Sequence, residues 1–151
     1  MSIFPTKILL ATDGSEEAEL ALRMAVELAN STDSELHVLS VGMPDLPVYV
    51  ELLEEAYRRF ERRGQQTLTE QVKKVEEAGG IVVKAHFTME GPPGQEIVHF
   101  AERLDAGMIV MGSRGLGGLR RVLLGSASDL VVRHAHCPVM VVRKEEKPAR
   151  L

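Results

Sequence analysis

Five short apolar runs alternate along the chain with segments of helical periodicity, and this alternation narrows the fold more than any other feature of the sequence. The runs are Lys7–Thr12 (KILLAT), Glu35–Val41 (ELHVLSV), Ile81–Phe87, Ala106–Gly112 (AGMIVMG) and Pro138–Arg143 (PVMVVR). KILLAT has no polar alternation, as expected of a strand covered on both faces. Between the first two runs, Ala18, Ala21, Leu22, Ala25, Val26 and Ala29 recur at helical spacing. Ser15 stands where an N-cap is needed, Glu16 and Glu17 fall in the first turn where carboxylates complement the helix dipole, and Asn30-Ser31 is the expected stop. A long amphipathic segment runs from about Tyr49 to Ala78, with Leu53, Tyr57, Phe60, Leu68, Val72 and Val75 on one face. Gly64 fills the gap in that stripe; it weakens the helix by about 1 kcal/mol but lets it come close to a sheet. Gly79-Gly80 ends the segment as αL caps do. After the break at Pro92-Pro93-Gly94, Ile97, Ala101 and Leu104 form the core face of a third helix, and a short fourth runs from Ser126 to about His134. Met43–Val48, with two prolines, reads as a loop.

The order β-α-β-α-β-α-β-α-β predicts an α/β fold: an open parallel sheet with helices on both faces, joined by right-handed crossovers. At 151 residues, with no repeat, low-complexity stretch or linker, the expectation is a single domain over 1–151 with its ordered core at about 5–144 and a frayed, charged tail.

Composition removes several functions. The formal net charge is -4, without a block of like charge, so the sequence carries no electrostatic footprint for nucleic acid or an anionic membrane. Arg58-Arg59 and Arg62-Arg63 alternate with Glu54, Glu55 and Glu61 and read as a solvated, salt-bridged helix face. No apolar run approaches the ~20 residues of a membrane span, and Met1–Thr6 does not resemble a secretory signal. The single cysteine, Cys137, forms no intramolecular disulfide; a cytoplasmic protein is the expectation. His134, His136 and Cys137 lack a fourth partner at zinc spacing, so helix end, turn and strand start account for them and no metal site is expected.

Open parallel sheets bind ligands beyond the carboxyl ends of their strands, where the strand order reverses. Two strand ends carry suitable chemistry. The first closes on Thr12-Asp13-Gly14-Ser15, which sets a carboxylate at the sheet edge; Asp13 reads either as a ligand contact or as a turn residue over the following helix. The fourth enters a stretch from Gly112 to Gly125 with five glycines in fourteen positions, followed by Ser126 and carrying Arg114, Arg120 and Arg121. Such a backbone turns its N–H groups inward, and the helix that begins with the S-x-x-D pattern Ser126–Asp129 adds free N–H groups and a dipole that favour phosphate. Neither G-x-x-x-x-G-K-[ST] nor G-x-G-x-x-G is present, so residue chemistry alone reaches a phosphate-bearing ligand and no further.

Gly112, two residues, Gly115, nine residues, then Gly125-Ser126 form a pattern that resembles the ATP-binding branch of the universal stress protein family. The flanks ILLATDGS at the first strand and HCPVMVV at the last extend the resemblance over nearly the whole chain. It implies a Rossmann-like sheet of the adenine nucleotide alpha hydrolase-like type, five strands in the order 3-2-1-4-5. It also implies a homodimer through the last strand (138–143) and ATP, with Mg, in the cleft between strands one and four. Carried over by position, Ala11, Thr12 and Asp13 would line the nucleoside site, with Asp13 near the ribose. Val41 would meet the adenine edge through its backbone, and Met111 and Gly112 would flank the sugar. Gly115, Gly125, Ser126, Ala127 and Ser128 would cradle the phosphates with Arg114 close by. Ala11 departs from the larger residue usual in relatives, which alters the pocket wall there.

No catalytic residue is expected: the sequence offers no Ser/His/Asp set, paired carboxylates or lysine aimed at a phosphate. The function expected is a nucleotide-dependent regulatory or stress-response module. The alternatives are a slow Mg-dependent ATPase and a structural dimer that binds no nucleotide. An adenylyl-transfer enzyme is disfavoured, because its Ser-Gly-Gly loop after strand one is replaced by Thr-Asp-Gly-Ser.

Overall fold

The computed structural model describes residues 2–42, 50–113 and 125–144; the loop expected at Met43–Val48 and most of the glycine-rich stretch lie outside them. Five strands, β1 (Lys7–Thr12), β2 (Glu35–Val41), β3 (Val82–Thr88), β4 (Met108–Gly112) and β5 (Val139–Val142), form one parallel sheet in the order β3-β2-β1-β4-β5. Among the described residues four helices intervene: α1 (Glu16–Thr32), α2 (Leu53–Glu77, after a single 3-10 turn), α3 (Pro93–Leu104) and α4 (Ser126–His134). No described helix is long and apolar enough to cross a membrane.

The apolar character of β1 follows from its place at the centre. Ile8, Leu9 and Leu10 are wholly buried, and their period-2 alternation divides them between two cores. Ile8 and Leu10 join Ala21, Leu22 and Val26 of α1 and Leu68 and Val75 of α2 on one face. Leu9 and Ala11 join Ile97, Val98 and Ala101 of α3 and Val131 of α4 on the other. The chain passes from β1 to β2 over α1, and from β3 to β4 over α3 on the opposite face, so the strand order reverses between β1 and β4.

Local chemistry sets the element ends. Ser15 caps α1, its hydroxyl accepting the Ala18 N–H at 3.3 Å. The helix runs through the expected stop at Asn30-Ser31 and ends at Asp33, which adopts the left-handed conformation with φ 55. α2 starts later than its pattern suggests, and Tyr57, placed on its core stripe, is 39% exposed. Over its first turns the salt-bridged face is as expected, with Glu54–Arg58 and Glu55–Arg59 pairs one turn apart. Ala106 and Gly107 belong to the turn before β4, since their N–H groups bond back to Ala101 and Lys7. α4 is capped by Gly125; Ser126 is its first helical residue and not its N-cap, contrary to the S-x-x-D reading.

Candidate functional site

The carboxyl ends of β1 and β4 lie side by side, with Ala11 paired to Met111. Both are buried and face the α3–α4 core. Thr12 points the other way, where its hydroxyl donates to Gln71 Oε1 of α2 at 3.0 Å and accepts the Gly14 N–H at 3.3 Å. Gly14 has φ +79, a left-handed turn position that a glycine takes without strain. One oxygen of the half-buried Asp13 carboxylate accepts the Ser15 N–H at 2.9 Å, forming an Asx turn. Thus Ser15, and not Asp13, caps α1, while the turn fixes the direction of the Asp13 carboxylate at the strand end.

At β4 the chain packs against the start of α1. A Cβ on Gly112 would lie 3.0 Å from the Glu17 carbonyl carbon and 3.1 Å from the Ala18 nitrogen. Gly112 is therefore needed for this approach of strand and helix, a role its position in a phosphate motif does not reveal. The next residue, Ser113, is buried and donates its hydroxyl to the Glu17 carboxylate. Its carbonyl accepts the Gly125 N–H at 2.6 Å and the Ser128 hydroxyl at 2.8 Å. That hydroxyl also lies 3.0 Å from the Gly125 carbonyl. The end of β4 and the start of α4 are thereby tied together, although eleven residues separate Ser113 from Gly125 in sequence.

Helix geometry leaves the N–H groups of Ser126, Ala127 and Ser128 without an intrahelical acceptor, the first such bond being Asp129 N–H to the Gly125 carbonyl at 2.9 Å. They stand next to the crevice where the strand order reverses. Among the expected site residues, Ala11, Thr12, Asp13, Met111, Gly112, Gly125, Ser126, Ala127 and Ser128 converge on this region; Val41 ends the neighbouring strand β2. Arg114 and Gly115 lie outside the described residues. Sequence reasoning missed Gln71, Ser113 and the burial of Glu17, which is only 7% exposed in a first turn read as complementing the helix dipole. A polar residue inside an apolar helix stripe is the one signal that marks Gln71.

His37 is buried and bonds Glu35 at 2.9 Å, and this bond holds the Glu35 carboxyl below its usual range. His86 stacks on Phe100 with ring centroids 5.4 Å apart. Partial burial pushes the Cys137 thiol above its usual range, so the thiol form is favoured there. Among the described residues no group of three or more His, Cys, Asp or Glu is arranged to hold a metal ion. A shallow groove lined by Arg23, Val26, Glu27, Asn30, Ser31 and Ala78 lies at the far end of α1, away from the strand carboxyl ends.

An open parallel sheet that reverses order at β1 and β4, with a glycine-flanked strand-to-helix turn at that point, defines the Rossmann-like class that takes ligands at strand ends. The universal stress protein family model matches residues 5–143. A universal stress protein of Methanocaldococcus jannaschii is 41% identical over 148 residues, which cover 93% of this chain and 84% of the relative. The chain belongs to the universal stress protein family. Two solved structures share its fold and 25% of its residues. A universal stress protein from Archaeoglobus fulgidus in complex with dAMP covers 93% of this chain and 99% of its own, with a TM-score of 0.64. An Arabidopsis thaliana family protein with AMP bound covers 93% of each chain, with a TM-score of 0.66.

Proposed function

We propose that this chain is an ATP-binding member of the family, working as a homodimeric, nucleotide-dependent regulatory or stress-response module. The observation that carries the reading is the bond from the Gly125 N–H to the Ser113 carbonyl, 2.6 Å long, at the β1–β4 switch point. It sets the start of α4, with its three N–H groups lacking helical acceptors, beside the cleft between the two strand ends. The AMP- and dAMP-bound relatives support an adenine nucleotide as ligand; the triphosphate is proposed from the Gly112, Gly115, Gly125-Ser126 spacing.

In this reading Asp13, oriented by its Asx turn, meets the ribose hydroxyls, and Ala11 and Thr12 line the nucleoside side. The backbone of Val41 meets adenine, and Met111 and Gly112 flank the sugar. The N–H groups of Ser126, Ala127 and Ser128 receive phosphate oxygens, since the Ser128 hydroxyl is already committed to carbonyls. Gly125 admits the phosphate by lacking a side chain. Arg114 and Gly115 enter on motif position alone. Mg, which would offset phosphate charge, would be held mainly by the nucleotide and water, as is usual for this cation.

Gly125→Val tests the assignment. Residue 125 has φ -59, which valine adopts without strain, so the variant should fold while its side chain stands in the path of the phosphates. Calorimetric titration should show ATP bound by the wild type and an affinity at least roughly tenfold weaker in the variant, whose melting temperature falls by only a few degrees because valine is a poorer N-cap than glycine. Equal affinity in both proteins would overturn the placement of the phosphates.

A further inference from the structure

The buried carboxylate of Glu17 is not explained by helix capping, because Ser15 already caps α1. Burying a carboxylate is unfavourable unless hydrogen bonds satisfy it, so its position has to be accounted for by what it holds. It accepts the hydroxyl of Ser113, the first residue past β4, across ninety-six positions of sequence. The same residue's carbonyl receives both the Gly125 N–H and the Ser128 hydroxyl. The contact exists because Gly112, one residue earlier, has no side chain to hold the α1 backbone away. Four elements of one small network thus follow in order: Glu17 on α1, Ser113 at the end of β4, then Gly125 and Ser128 at the start of α4.

We infer that Glu17 is a positioning residue that fixes Ser113, and through the Ser113 carbonyl fixes the start of α4 in the orientation its N–H groups need to receive phosphate. The inference about phosphate rests on the nucleotide-binding reading above, whereas the fixing of the α4 start does not. Glu17 is chosen over aspartate because its extra methylene lets a carboxylate on the first turn of α1 reach past Gly112 to Ser113. Its action is to accept a hydrogen bond, which an amide oxygen also does. Two consequences separate this role from general stabilisation. Glutamine at position 17 should substitute for glutamate, and aspartate, charged but shorter, should not. Loss of the contact should weaken ligands in proportion to their phosphates and leave the nucleoside end untouched.

The test compares wild type, Glu17→Ala, Glu17→Gln, Glu17→Asp and Ser113→Ala by amide hydrogen exchange without ligand and by titration with ATP and with adenosine. In Glu17→Ala, Glu17→Asp and Ser113→Ala, the hydrogen-bonded amides of Gly125 and Asp129 should exchange roughly tenfold faster, the scale of one lost hydrogen bond to a charged group, while β1 amides stay as protected as before. Glu17→Gln should stay within about threefold of wild type. ATP affinity should fall roughly tenfold in the first three variants, with adenosine affinity changed less than about twofold. Unchanged exchange at Gly125 and Asp129 in Glu17→Ala would overturn the inference, as would faster exchange spread evenly over β1 and α1, or an equal loss of ATP and adenosine binding. Wild-type protein that binds no ATP would remove the proposed function, and the exchange comparison alone would then decide whether Glu17 fixes the α4 start.

Discussion

A methyl group on Gly64 would stand 2.2 Å from Cζ of Phe87, far inside van der Waals contact. The helix α2 therefore lies on β3 at a distance that only glycine permits, with the Phe87 ring filling the space. Gly64→Ala gains about 1 kcal/mol of helix propensity but loses about 1–3 kcal/mol to overpacking, so the expected result is a net destabilisation of roughly 1 kcal/mol. Urea denaturation should show the lower midpoint, and in a Phe87→Leu background the same substitution should become neutral or stabilising. A raised midpoint for Gly64→Ala alone would mean that the ring yields at little cost. The sequence marked Gly64 correctly, because a gap in an apolar stripe is a local pattern. It could not mark the partners of Glu17 or Gln71, because Ser113 and Thr12 are distant in sequence and their approach depends on the sheet order. Asp13 shows the same limit: its pattern left open a ligand contact or a turn, and the structure gives the turn while leaving the carboxylate at the strand end.

At the scale of elements, β1 and β2 were readable to the residue, since strands covered on both faces carry their apolar signal at full strength. The start of α2 was not, because its first turns are largely exposed, Tyr57 included, so the apolar stripe there is not matched by burial. The fourth helix was read to its bounds but not to its cap, which Gly125 supplies in place of Ser126. β5 is a different case. All four of its residues are half-buried, and it pairs with β4 along one edge only among the described strands. Edge strands of apolar residues invite pairing with another chain, and an isologous contact through residues 138–143 would cover this one. Light scattering should give a mass near twice 16.6 kDa, and Val141→Lys should shift it toward the monomer. A monomer mass for the wild type at every concentration would contradict the proposed dimer.

For the whole molecule, the alternation of apolar runs and helical stripes was enough to predict a parallel sheet with helices on both faces, because each element's burial imprints its own period. The strand order was not contained in that alternation; it came from resemblance, and the sheet β3-β2-β1-β4-β5 agrees with it. That order brings Asp13 and Gly112 to one crevice, and so turns two unrelated loop motifs into one candidate site. The central claim is that this crevice holds ATP. Its most direct test is equilibrium dialysis of nucleotide-free protein against ATP, with and without Mg²⁺. Saturation near one ATP per chain is expected; no ATP retained up to millimolar concentration, under either condition, would rule out an ATP site in this crevice.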